Sequence, residues 1–286
     1  MSPEHEKTDF IASFSHLADR TKWRYGKYLG LFLEWLMTEN IRVEEVRTVD
    51  VLAFIDGLRE YYSPEQQHRI IHTVKTWYIF KGYKRNPALG IKIRYQTSKI
   101  PHGLLDRKNL DMIYHQYEAT TIMTYRNKVV IGLLVFQGLT SGEMKRLQIN
   151  DLKLATGNIY IQSSKQTNSR TLVLEACQIL EMKTYQEEIR PQFGKSTNQF
   201  IIHRRKEGTG VQNVINHLFT DLRKHYSSVK HAGQIRQSVI TEWLKEKDVR
   251  IVQYMAGHKS VKSTERYQSL HLKDLQEQLN KFHPLG

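Results

Sequence analysis

The sequence contains a single cysteine, Cys177, among its 286 residues. One cysteine cannot form an internal disulfide framework or a zinc site built from cysteines. Long apolar runs are also missing, because the longest, at 129–136, is far shorter than the roughly 20 residues that cross a bilayer. The opening residues lack the basic and then apolar profile of a signal peptide. We therefore expect a cytoplasmic protein that is not inserted in a membrane.

Acidic residues are scarce relative to basic ones, with 29 Asp and Glu against 43 Lys and Arg. The formal net charge of +14 favours a polyanionic partner, although charge alone does not choose between nucleic acid and an anionic membrane. Apolar residues make up 40% of the chain, which excludes a disordered basic tail.

The length suits one large domain or two smaller ones. The best boundary is the stretch 84–101, which holds two prolines, a glycine and a basic bias but no sustained apolar period. We predict a helical domain over residues 1–97 and a second domain over residues 98–286.

Apolar residues in the first domain recur at three- and four-residue spacing, which predicts a helix from Thr21 onward and another over 49–59. A third helix carries a capping signature, with Ser63 as N-cap, Pro64 in the first helical position and Gln66 three residues after the cap.

Two alternating segments in the second domain predict strands over 158–162 and 170–174, joined by a polar loop that contains Lys165. A short apolar segment at 200–202 interrupts a pattern that is otherwise helical. The fold class is therefore mainly α with a small antiparallel β-sheet (α+β). The predicted helices of this domain are 105–117, 125–136, 141–147, 210–226, 234–246, 249–256 and 271–281.

Basic residues line the first-domain helices outside their apolar stripes. A solvated surface explains such rows as well as a nucleic-acid partner does. With that alternative open, a DNA-binding protein would use them to contact phosphates. The candidate DNA-binding residues are Arg20, Lys22, Arg24, Lys27, Arg69, His72 and Lys75, together with Arg204 and Arg205 of the second domain.

The most informative stretch runs from 234 to 267. Arg236 stands near a predicted helix start, and His258, preceded by Gly257, lies 22 positions later. Tyr267 follows nine positions after the histidine, inside the letters STERY. The order, spacing and flanking residues resemble the C-terminal signature of the tyrosine recombinases, a phage-integrase-like family.

The resemblance extends over nearly the whole chain, since the early helices and the Asn86-Pro87 linker are also similar to the family. It implies a two-domain clamp, in which a helical core-binding domain and a catalytic domain hold DNA. The implied function is site-specific recombination, integration or transposition on double-stranded DNA with inverted-repeat sites. The implied assembly is a homo-oligomer, with a dimer on each site and a tetramer in synapsis.

The resemblance also assigns roles to residues. Tyr267 would be the nucleophile that forms a 3′-phosphotyrosyl bond. Arg236 and His258 would stabilise charge on the scissile phosphate. Lys165 would protonate the leaving 5′-oxygen. No metal ion, ATP or other cofactor is expected. Each of these residues also has a non-catalytic interpretation. The tyrosine could be a surface residue, the arginine a structural residue, the histidine a capping or core residue and the lysine an exposed loop residue.

The sequence departs from the family pattern in two places. The family's first catalytic arginine follows Gly-Leu, and Thr140 stands in its place here. In the second box, Gly233 replaces a histidine three residues before Arg236, and Gln237 follows the arginine. His231 lies two residues before that glycine. The possible auxiliary catalytic residues are His231, Arg170, Thr140 and Gln237, and Arg204 and Arg205 are further cations that could replace the missing arginine.

Three functions are therefore open. The first is an active recombinase, and the second is a catalytically impaired DNA-binding protein of the same fold. The third is a basic helical protein that binds RNA or anionic lipid. Leu272, Leu275, Leu279 and Phe282 also give the C-terminal end an apolar stripe, which would dock on a neighbouring protomer or on its own domain.

Overall fold

The chain divides into two compact units, Met1–Lys99 and Ile100–Gly286, called here the N-terminal unit and the C-terminal unit. The predicted domain boundary lies between residues 97 and 98, two residues before this division. A computed structural model describes residues 3–95, 103–194, 196–203 and 210–268.

Helices form the N-terminal unit around a core that includes Phe32, Val51, Ile70 and Trp77. The periodicity predicts the last three of its helices but not the first, because Phe10 and the residue after it are one apolar pair rather than a repeat. Phe10 is nevertheless fully buried and packs on aromatic rings that follow it in sequence. The helices are α1 (Pro3–Ala12), α2 (Asp19–Thr38), α3 (Thr48–Leu58) and α4 (Pro64–Phe80).

The predicted capping signature of α4 is confirmed. The hydroxyl of Ser63 accepts a hydrogen bond from the amide of Gln66 at 3.4 Å, and the Gln66 side chain accepts one from the Ser63 amide at 3.0 Å. Two amides that the helix itself cannot satisfy thereby gain partners, and Pro64 needs none.

The C-terminal unit packs around α6, which is apolar on nearly every side, as expected of a helix enclosed by others. A π-helical turn at Tyr185–Ile189 continues α8. The helices of the unit are α5 (Arg107–His115), α6 (Ile122–Val135), α7 (Ser141–Arg146), α8 (Ala176–Thr184), α9 (Val211–His225), α10 (Ala232–Glu246), α11 (Val249–Ala256) and α12, which is helical over residues 262–268.

One small antiparallel sheet completes the C-terminal unit, so the predicted fold class is confirmed. Strands β2 (Asn158–Ile161) and β3 (Arg170–Val173) were both predicted, and they pair with Ile161 opposite Arg170. The edge strand β1 (Leu152–Lys153) is not predicted by the pattern, because two residues are too few to show an alternation.

The predicted helix at 271–281 lies outside the described residues, and so do Arg204 and Arg205. No helix in the described part of the chain combines the length and the apolar character needed to cross a bilayer.

Candidate active site

Thr140, the residue that stands in place of the family's first arginine, is the N-cap of α7. Its hydroxyl accepts a hydrogen bond from the amide of Glu143 at 3.2 Å and donates one to Oε2 of Glu143 at 2.9 Å. The amide of Thr140 also donates to that oxygen, at 2.8 Å. Thr140 therefore caps its own helix and holds the carboxylate of Glu143 in a fixed orientation.

Glu143 is paired with Arg170 of β3 deep in the C-terminal unit. Nη1 of Arg170 lies 2.6 Å from Oε1 of Glu143, and both side chains are fully buried. Burial opposes ionisation of the carboxyl, but the hydrogen bond and charge of Arg170 outweigh it and lower the pKa of Glu143. The Nε of Arg170 donates to the carbonyl of Met255 at 2.7 Å. Arg170 thus links β3 to α7 and α11, and its side chain has no exposed surface.

Arg236 reaches the same carboxylate from α10. Its Nη1 lies 3.8 Å from Oε2 of Glu143 and donates to the carbonyl of Gly138 at 2.5 Å. Its Nη2 donates to the carbonyl of Ala256 at 2.6 Å. Burial lowers the pKa of Arg236 from its ordinary value, while the charge of Glu143 acts in the opposite direction. The side chain remains 12% exposed, so this guanidinium is open to solvent where that of Arg170 is not.

A left-handed turn at Gly257 ends α11 and presents His258. The φ of Gly257 is +67°, and a Cβ atom there would overlap the guanidinium of Arg170. Only glycine meets both constraints. The carbonyl of Gly257 accepts a hydrogen bond from the amide of Asn168 at 2.9 Å, and Thr167 pairs with His258 as an isolated bridge. The β2–β3 loop, which carries Lys165, is therefore fastened to the turn that carries the histidine.

The imidazole of His258 is oriented by Thr264. Its Nδ1 lies 2.8 Å from the Oγ1 of this fully buried threonine. Burial, together with the charges of Arg236, Arg170 and Arg266, lowers the pKa of His258 to about 4, while the charge of Glu143 acts in the opposite direction. At neutral pH the imidazole is neutral. When Thr264 donates to Nδ1, the proton of the ring is on Nε2, which can donate to a ligand.

Tyr267 packs beside this histidine on α12. The two rings are nearly parallel, with centroids 6.2 Å apart and an interplanar angle of 12°. Tyr267 is 6% exposed. Nη2 of Arg266 lies 3.4 Å from the phenol oxygen, and the guanidinium lies 5.3 Å from the ring centroid. Tyr267 also affects the pKa of Arg236 electrostatically. The candidate nucleophile therefore lies near two guanidinium groups, those of Arg266 and Arg236.

The structure thus brings together Arg236, His258 and Tyr267, which are distant in sequence. Lys165 is exposed in the loop that contacts the histidine turn. His231 begins α10 as its N-cap, and its Nδ1 accepts a hydrogen bond from the amide of Gln234 at 3.0 Å, which leaves only Nε2 for a substrate. Gln237 is half-buried on α10, directly after the arginine.

The candidate DNA-binding residues of the N-terminal unit lie on its surface, with the exception of Lys75. The ammonium of Lys75 is half-buried and donates to the carbonyl of Ile91 at 2.5 Å, so it holds the segment after α4 in place. Arg69 pairs with Glu65 at 2.7 Å on an open face. The remaining candidates of this unit are exposed or half-buried, namely Arg20, Lys22, Arg24, Lys27 and His72.

Sequence reasoning missed three residues of the cluster, namely Glu143, Thr264 and Arg266. A signal for the first was present, because Thr140 and Glu143 have the spacing of a capping box. The other two stand inside the letters STERY, but only the folded chain shows that one touches the imidazole and the other the phenol. Within the described ranges, no group of three or more His, Cys, Asp or Glu side chains could hold a metal ion.

Comparison with known proteins identifies the family of the chain. The chain matches the Phage integrase family over residues 104–273, more than half of its length. It therefore belongs to that family, as the motif predicts, and is an enzyme of the tyrosine recombinase type that functions in DNA recombination.

Relatives and solved structures are similar over most of their length. The tyrosine recombinase XerC of Oceanobacillus iheyensis is 26% identical over 274 residues, which cover 91% of this chain and 88% of the relative. XerH bound to palindromic difH in a post-cleavage complex gives a TM-score of 0.74 at 18% identity, covering 90% of this chain and 78% of that one. A lambda integrase dimer bound to a COC′ core site gives a TM-score of 0.67 at 16% identity, covering 93% and 75%. The two structures share the fold of this chain.

The buried carboxylate generates a prediction about stability. In Glu143→Gln, Arg170 and Arg236 are left without a counter-charge in a buried site. We expect the free energy of unfolding to fall by about 3–5 kcal/mol, the usual loss when one partner of a buried ion pair is removed. Urea denaturation at neutral pH measures the loss.

Asp221→Asn is the matched control, because Asp221 pairs with Lys224 at 3.3 Å on an exposed face of the same unit. This change should alter the unfolding free energy by less than about 1 kcal/mol. Equal, small losses in both variants would contradict the structural role given to Glu143.

The environment of His258 generates a second prediction. In the free protein, an NMR titration of the histidine ring carbons should give His258 a pKa of about 4. In Arg236→Gln that pKa should rise, because one repelling positive charge is gone. The unfolded chain takes up this proton near pH 6.5 and the folded chain only near pH 4, so His258 destabilises the fold as the pH falls between these values. A His258 midpoint near 6.5 in the wild-type protein would contradict the buried environment.

Proposed function

We propose that this chain is a site-specific recombinase that cuts and rejoins DNA strands through a 3′-phosphotyrosyl intermediate on Tyr267. The observation that carries the proposal is the convergence of Tyr267, His258 and Arg236. The phenol packs on the imidazole, and the arginine binds the carbonyl of Ala256 two residues before that imidazole. A nucleophile beside fixed hydrogen-bond donors is what attack on a phosphodiester requires.

In the proposed reaction, the phenol oxygen of Tyr267 attacks the scissile phosphorus. A bond from that oxygen to phosphorus forms, and the bond from phosphorus to the 5′-oxygen breaks. The phenol loses its proton to water, and the leaving 5′-oxygen takes a proton from Lys165. Because the phosphotyrosyl link conserves a phosphodiester bond, attack by a 5′-hydroxyl reverses the step and rejoins a strand without ATP.

Each donor has a separate task at the phosphate. Arg236 would donate to the non-bridging oxygens, where negative charge grows in the transition state. His258 would donate from Nε2 as a neutral imidazole, since its Nδ1 faces Thr264. Lys165 would enter from the β2–β3 loop, which is bonded to the turn before His258 through the amide of Asn168 and the carbonyl of Gly257.

The proposed partner is double-stranded DNA with inverted-repeat sites. Residues 1–97 would act as the core-binding domain and residues 98–286 as the catalytic domain. The net charge of +14 supports binding to phosphates on both parts. The lambda integrase structure of similar fold is a dimer on its core site, and we propose a dimer on each site here and a tetramer when two sites are joined.

Thr140 favours a second candidate function, a DNA-binding protein that no longer cleaves. Loss of one fixed donor at a charged transition state typically costs about 10²–10³ in rate. The hydroxyl of Thr140 is also bonded to Glu143 rather than turned to a substrate. The tyrosine, the second arginine and the histidine all remain, however, and this favours the enzyme.

A nicked suicide duplex separates the two functions. The duplex carries the inverted repeats that the protein itself selects from a randomised DNA pool, so that binding is assured. Wild-type protein should form a covalent adduct that survives a denaturing gel and should release a strand with a free 5′-hydroxyl. Tyr267→Phe should bind the same duplex and form no adduct.

The outcomes are decisive in both directions. Binding by wild-type protein with no adduct on any nicked position would establish the non-cleaving DNA-binding protein instead. An adduct that persists in Tyr267→Phe would show that another residue is the nucleophile.

A further inference from the structure

The loop that carries Lys165 closes on itself through the side chain of Ser164. The hydroxyl of Ser164 accepts hydrogen bonds from the amides of Gln166 and Thr167, each at 3.0 Å, and its oxygen lies 3.0 Å from the hydroxyl oxygen of Thr167. The amide of Ser164 also donates to the carbonyl of Thr167 at 2.8 Å. Residues 164–167 therefore form a tight turn of the kind that a serine hydroxyl stabilises by bonding nearby backbone amides.

This turn is attached to the rest of the C-terminal unit on both sides. Thr167, at its end, is 9% exposed and pairs with His258 as an isolated bridge. Before the turn, the side-chain amide of Gln162 donates to the carboxylate of Asp151 at 3.2 Å. Because both ends are held, the conformation of the turn determines where the backbone of Lys165 lies relative to His258.

A proton donor on a long side chain depends on such a fixed backbone. The side chain of Lys165 is exposed, and an exposed lysine samples many rotamers. To protonate the leaving group, its ammonium must come within about 3 Å of the 5′-oxygen. Misplacement of a catalytic group by about 1 Å can cost about 10²-fold in rate. A turn that fixes the Cα of Lys165 limits the positions that the ammonium has to search.

The two neighbouring serines of this loop differ in what their hydroxyls do. Ser163 is exposed, and its hydroxyl makes no hydrogen bond within the part of the chain that the structure describes. Ser164 is half-buried and bonds the two amides that follow Lys165. Without the hydroxyl of Ser164, both amides lose an acceptor, and the one in Thr167 belongs to a buried residue. The turn therefore depends on Ser164 and not on Ser163.

We infer that Ser164 is a positioning residue for Lys165. Its hydroxyl fixes the turn so that the ammonium of Lys165 meets the 5′-oxygen as the bond from phosphorus to that oxygen breaks. The proton moves from Nζ of Lys165 to this oxygen, while Ser164 exchanges no proton and touches no reacting atom. This inference rests on the proposed function, because it concerns the proton donor of the same cleavage step.

A substrate whose leaving group needs no proton provides the test. Single-turnover cleavage is measured at saturating protein on two suicide duplexes, one with an ordinary scissile phosphodiester and one in which sulfur replaces the 5′-bridging oxygen. A thiol ionises at about pH 8.5, so the sulfur leaves as a thiolate without a proton. On the ordinary duplex, Ser164→Ala should lower the cleavage rate roughly 10–10²-fold and Lys165→Ala roughly 10²–10⁴-fold. On the sulfur duplex, each penalty should fall below about threefold, because no general acid is needed.

Ser163→Ala is the matched control, since it removes the same hydroxyl from the neighbouring, exposed residue. It should cleave both duplexes at the wild-type rate. Ser164→Thr keeps the hydroxyl and should restore most of the rate that Ser164→Ala loses. Ser164→Ala added to Lys165→Ala should cause no further loss on the ordinary duplex, because the serine acts only through the lysine.

Three results would overturn the inference while the proposed function stands. One is a rate for Ser164→Ala on the ordinary duplex within about twofold of the rate for Ser163→Ala. Another is an equal loss on both duplexes, which would mean that Ser164 supports the fold and not the proton donor. The third is an undiminished further loss when Ser164→Ala is added to Lys165→Ala. If the wild-type protein forms no adduct with DNA that it binds, or if Lys165→Ala cleaves the ordinary duplex at the wild-type rate, the proposed function fails first and takes the inference with it.

Discussion

One buried carboxylate, that of Glu143, joins four elements of the C-terminal unit. It accepts hydrogen bonds from the start of α7, pairs with Arg170 of β3, and lies near the guanidinium of Arg236 on α10. Arg170 and Arg236 in turn bind the last carbonyls of α11, directly before Gly257. The position of the turn that carries His258 therefore depends on the buried carboxylate of Glu143, which acts through the two arginines. Since unpaired buried charges are costly, removal of Glu143 would destabilise both arginines that contact it.

Residues of the same type have different roles in this cluster, because some only hold their neighbours in place and others reach the surface. Arg170 and Arg236 both contact Glu143, but only Arg236 keeps any exposed surface. His258 and Thr264 show the same division, since the buried threonine fixes the ring that a substrate would meet. Few groups of the site contact solvent, and buried neighbours fix the orientation of each. Groups held in this way can stabilise charge without reorganisation.

Local pattern predicted much of the fold and the nucleophile end of the site. The apolar period predicted α2 and α11, the Ser63 signature predicted the start of α4, and a spaced motif predicted Arg236, His258 and Tyr267. The Glu143–Arg170 pair could not be predicted, because 27 positions separate its members and only packing brings them together. Arg266 was passed over for a related reason, since an exposed arginine in sequence looks like any other until its contact with the phenol is seen.

The central claim is that Tyr267 becomes covalently joined to DNA. The most direct measurement is mass spectrometry of the adduct after nuclease and protease digestion. The account predicts that the peptide containing Tyr267 gains the mass of a nucleotide, and that fragmentation assigns this mass to the tyrosine. A nucleotide mass on any other residue, or cleaved DNA with Tyr267 unmodified in the trapped complex, would contradict it.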